Sequence, residues 1–165
     1  HKEYRRQRQM CIRDSIYSEG VFVGYRWYVA NNQIPLFPFG YGLSYTTFAY
    51  GTLRLYKTSG AKNAPIKVTF TVTNTGKRAG ATVPQIYIGK PSQQGIPVPP
   101  KELAGFRKIY LCPGETKTVT ITVEPRQLAY WNTQADRFVV MPGLYRIYLG
   151  SNVNNTPSMV TYTVR

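Results

Sequence analysis

Five carboxylates follow the first fifteen residues, and they are the side chains best suited to acid–base chemistry: Glu19, Glu102, Glu115, Glu124 and Asp136. A catalytic acid–base pair needs two titratable groups in environments that separate their pKa values. The pattern places Glu115 in a Pro-Gly turn and Glu124 at a strand end, and it places Glu102 and Asp136 in loops. No two of these acids occupy such a setting, so we predict that the chain holds no catalytic residue.

The position of Glu19 leaves two interpretations open. It stands beside Gly20 in an apolar segment, and Arg26 follows within the length of one strand. One interpretation is a catalytic carboxylate. The other, which we favour, is a partly buried Glu that pairs with Arg26 or caps backbone amides.

Nucleophiles and metal ligands are sparse in this sequence. His1 is the only histidine and lies in the first fifteen residues, which leaves no Ser-His or Cys-His pair. Cys11 and Cys112 form neither a disulfide framework nor a metal pair, so we expect two free thiols, with Cys112 partly buried at a strand end. There is no glycine-rich phosphate loop and no metal-ligand spacing. We therefore predict no cofactor and no metal site.

The net charge of +14 raises nucleic acid as a partner. The first fifteen residues hold five basic and two acidic groups, so the remaining 150 carry +11. Those charges are scattered singly along strands and turns, as at Lys57, Lys67, Lys77, Lys90, Lys101 and Lys117. Lysines spaced this way are typical of a solvated face, and we predict no nucleic-acid partner. No apolar run approaches the roughly 18 residues of a membrane span, so we predict no membrane partner.

From Thr47 onward the sequence has an all-β pattern. Ile66–Thr73 alternates apolar and polar residues, and turn signals recur about every eight to twelve residues. We predict a two-sheet sandwich without helices, and Pro84 indicates an edge or a bulge. The predicted strands are Ala49–Tyr56, Ile66–Thr73, Thr82–Ile88, Leu103–Leu111, Lys117–Val123, Leu128–Trp131, Phe138–Val140, Leu144–Leu149 and Met159–Val164.

The chain before the sandwich divides into two parts. Residues 1–15 have no period and resemble translated adapter sequence, so we interpret them as a non-native or disordered start of a fragment. In residues 16–46, Val21, Val23 and Tyr25 alternate around Gly24, which favours a strand buried between layers. The stretch Pro35–Phe48 is rich in aromatics, glycines and prolines, and we expect it to bridge into a sandwich at 47–165.

Exposed aromatics could form a sugar-stacking platform. Trp27, Trp131 and several tyrosines are candidates. Most of them fall at alternate strand positions, which favours core packing or cross-strand pairs. The loop Pro91–Pro100 has no core pattern and is a candidate for a functional rim.

Several blocks of sequence resemble one known family. YSEGVFVGYRWY (17–28) and PLFPFGYGLSYTTF (35–48) are similar to the C-terminal part of the family-3 glycoside hydrolases, which include β-glucosidases and β-xylosidases. VTNTGKRAGATVPQIYI (72–88), PPKELAGFRKIYLCPGETKTVTITV (99–123), LAYW (128–131) and PGLYRIYLGSN (142–152) resemble the fibronectin type III-like domain of that family. Val29-Ala30 and Thr82 stand where the family usually or often has acidic residues, which leaves the specificity subgroup open.

The resemblance implies an immunoglobulin/fibronectin type III-like sandwich, preceded by an extended remnant of an α/β domain. It implies a parent enzyme that cleaves terminal β-D-glycosidic bonds with retention, through an Asp on an upstream barrel and a Glu on an α/β domain. Those domains and, through them, an oligosaccharide are the implied partners, and the parent is expected to be periplasmic or secreted. The fragment alone is then inactive. The alternative is a stand-alone binding module for polysaccharide or a partner protein, which requires that Tyr17–Phe48 fold onto the sandwich.

Overall fold

The computed structural model describes residues 18–165. It contains two short helices, α1 (Tyr25–Ala30) and α2 (Pro125–Leu128). Thirteen strands follow α1 in chain order: β1 (Phe48–Tyr50), β2 (Arg54–Leu55), β3 (Ser59–Gly60), β4 (Ile66–Asn74), β5 (Gly80–Thr82), β6 (Gln85–Gly89), β7 (Glu102–Phe106), β8 (Ile109–Leu111), β9 (Thr116–Val123), β10 (Ala129–Asn132), β11 (Arg137–Val140), β12 (Gly143–Gly150) and β13 (Ser158–Val164). Within residues 18–165, neither helix has the length or apolar character needed to span a bilayer.

The strands form two main sheets and two hairpins. In the four-stranded sheet β4 is central, with β9 along one edge and β1 and β2 along the other. The five-stranded sheet has the order β3-β13-β12-β6-β7, and all its pairs are antiparallel except β3 with β13. The hairpins are β10-β11 and β5-β8. The predicted all-β sandwich is confirmed.

The core lies between the two sheets and follows the two-residue period of the sequence. On β4, Ile66, Val68, Phe70 and Val72 are buried, while Lys67 and the intervening threonines point outward. The inward side chains of β9, β6 and β12 complete the core: Val119, Ile121, Val123, Ile86, Ile88, Tyr145, Ile147 and Leu149. Each large apolar side chain buried this way contributes about 1.5–3 kcal/mol. This burial is the main stabilising term of the sandwich.

Two predicted strands are each divided in the structure. Leu103–Leu111 is not one strand, because the chain leaves the five-stranded sheet after Phe106 and enters the β5-β8 hairpin at Ile109. Ala49–Tyr56 is divided into β1 and β2 on the same edge of β4. Pro84, which has no amide hydrogen, lies between β5, which ends at Thr82, and β6, so it marks a break between two strands and not the predicted edge or bulge.

A buried asparagine holds the turn that follows β4. Asn74 is fully buried, and its Nδ2 donates to the carbonyl oxygens of Arg78 (2.7 Å) and Leu111 (3.1 Å). Its Oδ1 accepts from Thr46 Oγ1 (2.6 Å) and from the Gly76 amide (3.0 Å). A buried amide satisfied at both ends costs little, and this one joins three separate segments.

The prediction of a strand around Val21–Tyr25 is wrong, as is the prediction of no helix. Gly24 has φ 62°, a left-handed conformation that ends any extended run, and α1 begins at the next residue. Val21 and Val23 are 40% and 58% exposed, so they are not buried between layers. Alternation over five residues is too short to distinguish a strand from a turn and one helical turn.

Candidate interdomain interface

Residues 18–46, here called the arm, cross the outer face of the five-stranded sheet. The carbonyl oxygen of Phe39 accepts a hydrogen bond from the Val153 amide (3.0 Å), and the Tyr87 hydroxyl oxygen lies 3.4 Å from it. The Phe39 ring stacks on Tyr25, with 4.3 Å between ring centroids and 16° between planes. The Tyr25 hydroxyl in turn accepts from the Leu103 amide at 2.9 Å. Two separate parts of the arm are therefore held on one sheet.

Gly40 packs directly against a side chain of the sheet. Gln85, only 6% exposed, donates from Nε2 to the carbonyl oxygens of Gly40 (3.1 Å) and Ser151 (2.9 Å). The Tyr87 hydroxyl donates to Oε1 of the same amide. A Cβ on Gly40 would lie 2.1 Å from that Oε1, and Gly40 has φ 85°. Both the space and the backbone conformation therefore require glycine.

Burial at this contact changes two titratable groups. Burial raises the pKa of Tyr87 far above its ordinary value of 10.0, and the neighbouring Tyr25 adds to the rise. Burial lowers the pKa of Lys101, whose Nζ donates to the Val153 carbonyl (3.1 Å) and to Thr156 Oγ1 (2.7 Å). Tyr87 and Lys101 are therefore partly shielded from water on the outer face of the five-stranded sheet.

An ion-pair cluster holds α1 against the edge strand β7. Glu102 Oε2 lies 2.5 Å from Lys90 Nζ, and Glu102 Oε1 lies 3.5 Å from Arg26 Nε. The Lys90 and Glu102 side chains are 8% and 17% exposed. Lys90 also donates to the Ala129 carbonyl at 2.6 Å, which ties the β10-β11 hairpin to the cluster. A charge pair with this little access to water is costly to break from one side.

Many large apolar side chains of the arm remain open to solvent. Of the large hydrophobic side chains exposed in residues 18–165, eleven lie in residues 21–45 and seven in the rest of the described chain. The eleven are Val21, Val23, Trp27, Tyr28, Ile34, Leu36, Phe37, Phe39, Tyr41, Leu43 and Tyr45. Exposed apolar side chains concentrated in this way are typical of a surface that meets another protein part.

Two acids occupy environments other than those we predicted. Glu19 is exposed, and the carboxylate beside Arg26 is Glu102, so the predicted Glu19–Arg26 pair is wrong. Glu102 is not in a loop, because it begins β7 and lies half inside the fold. The local pattern could not identify this pairing, since Glu102 is brought to Arg26 only by the tertiary fold.

The remaining candidates are engaged in local structure. Glu115 lies in a turn, where hydrogen bonding from the Cys112 amide (2.7 Å) and then from Lys117 lowers the pKa of its carboxyl. Glu124 precedes α2, and Asp136 occupies the β10-β11 turn with φ 48°. Cys112 is exposed, so its predicted partial burial is wrong. His1 and Cys11 lie outside the described residues.

The structure brings no candidate metal site together in the part of the chain that it describes. Residues 18–165 contain no group of three His, Cys, Asp or Glu side chains able to hold an ion. That the chain has no catalytic residue stays a prediction.

The two tryptophans differ from each other in environment. Trp27 lies on α1 and is 42% exposed, so the expectation of a core or cross-strand position is wrong for it. Trp131 is opposite Phe138 in the β10-β11 register, with ring centroids 4.9 Å apart, which confirms a cross-strand pair.

From sequence, folding of Tyr17–Phe48 onto the sandwich was only a condition of the alternative function, although one signal favoured it. The run Gln85–Gly89 is buried throughout, on both sides of the sheet. Consecutive apolar residues such as Ile86, Tyr87 and Ile88 are typical of a strand covered on both faces. The core packs against one face of β6, and the arm packs against the other.

Comparisons with known proteins agree with this architecture. Residues 82–153 match the family model of the fibronectin type III-like domain. The chain is 46% identical over 134 residues to the thermostable β-glucosidase B of Acetivibrio thermocellus, a match that covers 81% of the chain and 18% of that protein. It is 45% identical over 148 residues to β-glucosidase B of Emericella nidulans, covering 87% of the chain and 17% of the relative.

Solved structures give the same correspondence. The β-glucosidase DesR from Streptomyces venezuelae, solved with D-glucose, superposes with a TM-score of 0.83 at 40% identity, over 90% of this chain and 19% of that one. The family-3 β-glucosidase of Bifidobacterium adolescentis gives a TM-score of 0.82 at 35% identity, over 90% and 21%. The chain thus spans only 17% to 18% of the length of the curated relatives named above. It belongs to the family-3 glycoside hydrolases and corresponds to their C-terminal portion, which carries the fibronectin type III-like domain.

Proposed function

We propose that this chain braces the catalytic domains of an enzyme that hydrolyses terminal β-D-glycosidic bonds with retention. The observation that carries the proposal is the two-sided arm. One side is fixed to the five-stranded sheet through Phe39, Gly40 and Tyr25. Besides Phe39, ten further large hydrophobic side chains in residues 21–45 are exposed. Exposure on this scale is unfavourable in an independent binding module and is relieved when a neighbouring domain covers it.

The chemistry is then supplied by other domains. Retaining hydrolysis needs two carboxylates about 5–5.5 Å apart, one as nucleophile and one as acid/base. In the described chain Glu102 and Glu115 are already in ion pairs with lysines. We assign the nucleophile Asp to a preceding barrel and the acid/base Glu to a preceding α/β domain, which together hold the oligosaccharide. The chain alone should release no nitrophenol from an aryl β-glucoside.

The same proposal divides the chain into domains. Residues 16–46 are the end of the α/β domain and its linker, and residues 47–165 are the sandwich. The predicted non-native or disordered start, residues 1–15, lies outside the described residues. The loop Pro91–Pro100 contributes to the outer rim of the active site. The parent enzyme acts in the periplasm or outside the cell, without nucleic-acid or membrane partners.

A chimera tests the bracing role. The segment of A. thermocellus β-glucosidase B that matches this chain is replaced by residues 18–165, and hydrolysis of an aryl β-glucoside and the melting temperature are measured. We expect an active, folded enzyme. A triple change on the open side of the arm, Leu36→Ser, Phe37→Ser and Leu43→Ser, should then lower both the melting temperature and the activity, because these side chains are 87%, 68% and 89% exposed in the chain alone.

A matched triple change on the sandwich is the control. Tyr56→Ser, Leu144→Ser and Met159→Ser alter side chains that are 80%, 49% and 50% exposed and lie outside the arm. This variant should keep the melting temperature and activity of the unmodified chimera. If the arm variant behaves like the control variant, the arm does not meet the catalytic domains and the proposal fails.

A further inference from the structure

A groove beside the β10-β11 hairpin is lined by aromatic, amide and other uncharged side chains. Its volume is about 650 Å³, and it lies between the hairpin and the proline-rich loop. The lining consists of Val21, Gln93, Gln94, Gly95, Ile96, Pro97, Tyr130, Trp131, Asn132, Thr133 and Gln134. None of these side chains is charged, although the whole chain has a net charge of +14. The groove therefore offers aromatic and amide groups, with no charged side chain in its own lining.

Trp131 presents a fixed aromatic surface to this groove. It is 48% exposed, yet its ring lies edge-on to Phe138, with 66° between the planes. The Arg126 guanidinium sits 3.4 Å from the centroid of Phe138 and holds that ring in turn. An aromatic side chain has few rotatable bonds, and one already held by its neighbours loses little entropy when a ligand stacks on it.

Glutamine amides surround the aromatic surface. Gln93 and Gln94 are exposed on the loop, and Gln134 is exposed on the hairpin. The loop side is shaped by a hydrogen bond from the Ile96 amide to the Gln93 carbonyl at 3.1 Å. The hairpin side is shaped by Asn132, whose Oδ1 accepts from the Gln134 and Ala135 amides at 3.0 Å. Because the Oδ1 of Asn132 is already bonded within the turn, the glutamine amides are the ones that can bind a ligand.

We propose that this groove binds a short stretch of neutral glycan. One sugar ring would stack its apolar C–H face on Trp131, and the glutamine amides, each both donor and acceptor, would bind the hydroxyl groups. A glycan of uncharged sugars fits a lining without charges better than an anionic polymer does. The site goes beyond the bracing role and does not depend on it.

Affinity electrophoresis of the whole chain tests the proposal. Native gels contain barley β-glucan, xylan or hydroxyethylcellulose as neutral polymers, and polygalacturonate as the anionic one. We expect at least one neutral polymer to retard the chain, and Trp131→Ala to weaken that binding about tenfold, the scale of one lost stacking contact. Trp27→Ala is the matched control, since Trp27 is 42% exposed but lies away from the groove, and it should bind like the unmodified chain.

A second variant keeps the test valid if Trp131→Ala unfolds the hairpin. Gln94→Ala combined with Gln134→Ala leaves the aromatic pair in place, and it should weaken retardation several-fold with an unchanged circular-dichroism melt. Retardation by polygalacturonate, which arises from net charge, should be the same for all variants and vanish in high salt. The proposal is overturned if no neutral polymer retards the chain, or if the groove variants bind as tightly as the Trp27 variant. Because no hydrolysis is measured, neither result bears on the bracing role.

Discussion

The two outer faces of the sandwich differ sharply in what covers them. On the four-stranded sheet, the outward residues of β4 and β9 are mostly threonines, and the hydroxyls of Thr69 and Thr120 lie 3.2 Å apart at the surface. On the five-stranded sheet, the outward residues of β6 include Gln85 and Tyr87, which are 6% and 0% exposed beneath the arm. The first face is solvated, whereas the second is covered along β6 and exposed at outward positions of β12 and β13 such as Leu144 and Met159.

Under the proposed bracing role, this difference indicates the side on which the catalytic domains lie. β4 alternates between buried and more exposed positions, whereas β6 is buried at every position. A strand covered on both faces needs a layer beyond its own sheet. The arm supplies that layer, and its own outer side remains apolar. The stacking order is therefore core, five-stranded sheet, arm and then the proposed catalytic domains.

The largest expected effect comes from removing a side chain from each outer face. Tyr87→Ala should cost about 3–5 kcal/mol of unfolding free energy, since it empties a buried site and removes a donor to Gln85. Thr120→Ala on the solvated face should change the unfolding free energy by less than about 0.5 kcal/mol. Urea unfolding followed by circular dichroism measures both. Similar losses of unfolding free energy in the two variants would mean that the two outer faces are equally accessible to water.

A smaller effect is expected from the ion pairs. Glu102→Gln should destabilise the chain by about 2 kcal/mol, because it leaves Lys90, 8% exposed, without its carboxylate partner. Glu115→Gln removes a pair to Lys117 whose members are 48% and 34% exposed, and the melting temperature should hardly change. The comparison uses the same substitution in both cases. Equal melting temperatures for the two variants would contradict a structural role for the cluster under α1.

Alanine substitutions at two glycines distinguish the cost of backbone strain from the cost of a clash with the sheet. Gly40→Ala should cost about 2 kcal/mol, since it combines a φ of 85° with a Cβ position 2.1 Å from Gln85. Gly95→Ala has a similar φ of 77° with nothing within 4 Å, and should cost about 1 kcal/mol or less. Thermal unfolding measures the difference. If Gly95→Ala is as costly as Gly40→Ala, the arm does not press on the sheet.

The smallest expected effect is on the melting temperature at alkaline pH. It tests whether the face covered by the arm excludes water as the core does. Burial raises the pKa of Tyr145 to about 12 from 10.0, and it raises the pKa of Tyr87 in the same direction. The folded state then keeps protons that the unfolded state loses above pH 10, so stability is full below pH 10 and falls as pH rises toward 12. Tyr145→Phe and Tyr87→Phe should each reduce the fall in melting temperature between pH 9 and pH 11.

Tyr56→Phe is the control for the titration, because Tyr56 is 80% exposed. It should leave the pH dependence of the unmodified chain intact. A Tyr87 variant that behaves like the Tyr56 variant rather than the Tyr145 variant would indicate that water reaches the face beneath the arm.

The sandwich could be predicted from sequence to a degree that the arm could not. Strands such as β4 and β9 alternate over eight or nine residues, and a period that long determines both the element and its buried face. The chain changes sheet between Phe106 and Ile109 without a glycine or proline to mark it, so that break was missed.

The arm contacts depend on tertiary structure instead. Val21, Val23 and Tyr25 alternate too briefly to exclude α1, and the positive φ of Gly24 is not evident from its neighbours. The cluster of Arg26 with Glu102 joins residues far apart in sequence. Local patterns contain no information about such pairs, whereas the consecutive apolar residues of β6 did indicate that both faces of that strand are covered.

Amide hydrogen exchange at Leu103 and Val153 tests most directly whether the arm seals the five-stranded sheet. These amides donate to the Tyr25 hydroxyl and to the Phe39 carbonyl of the arm, at 2.9 Å and 3.0 Å. Our account predicts that both exchange as slowly as core amides such as that of Ile147, and that Gly40→Ala speeds Val153 more than Ile147. Exchange of Leu103 and Val153 at the rate of unprotected peptide amides in the unmodified chain would contradict it.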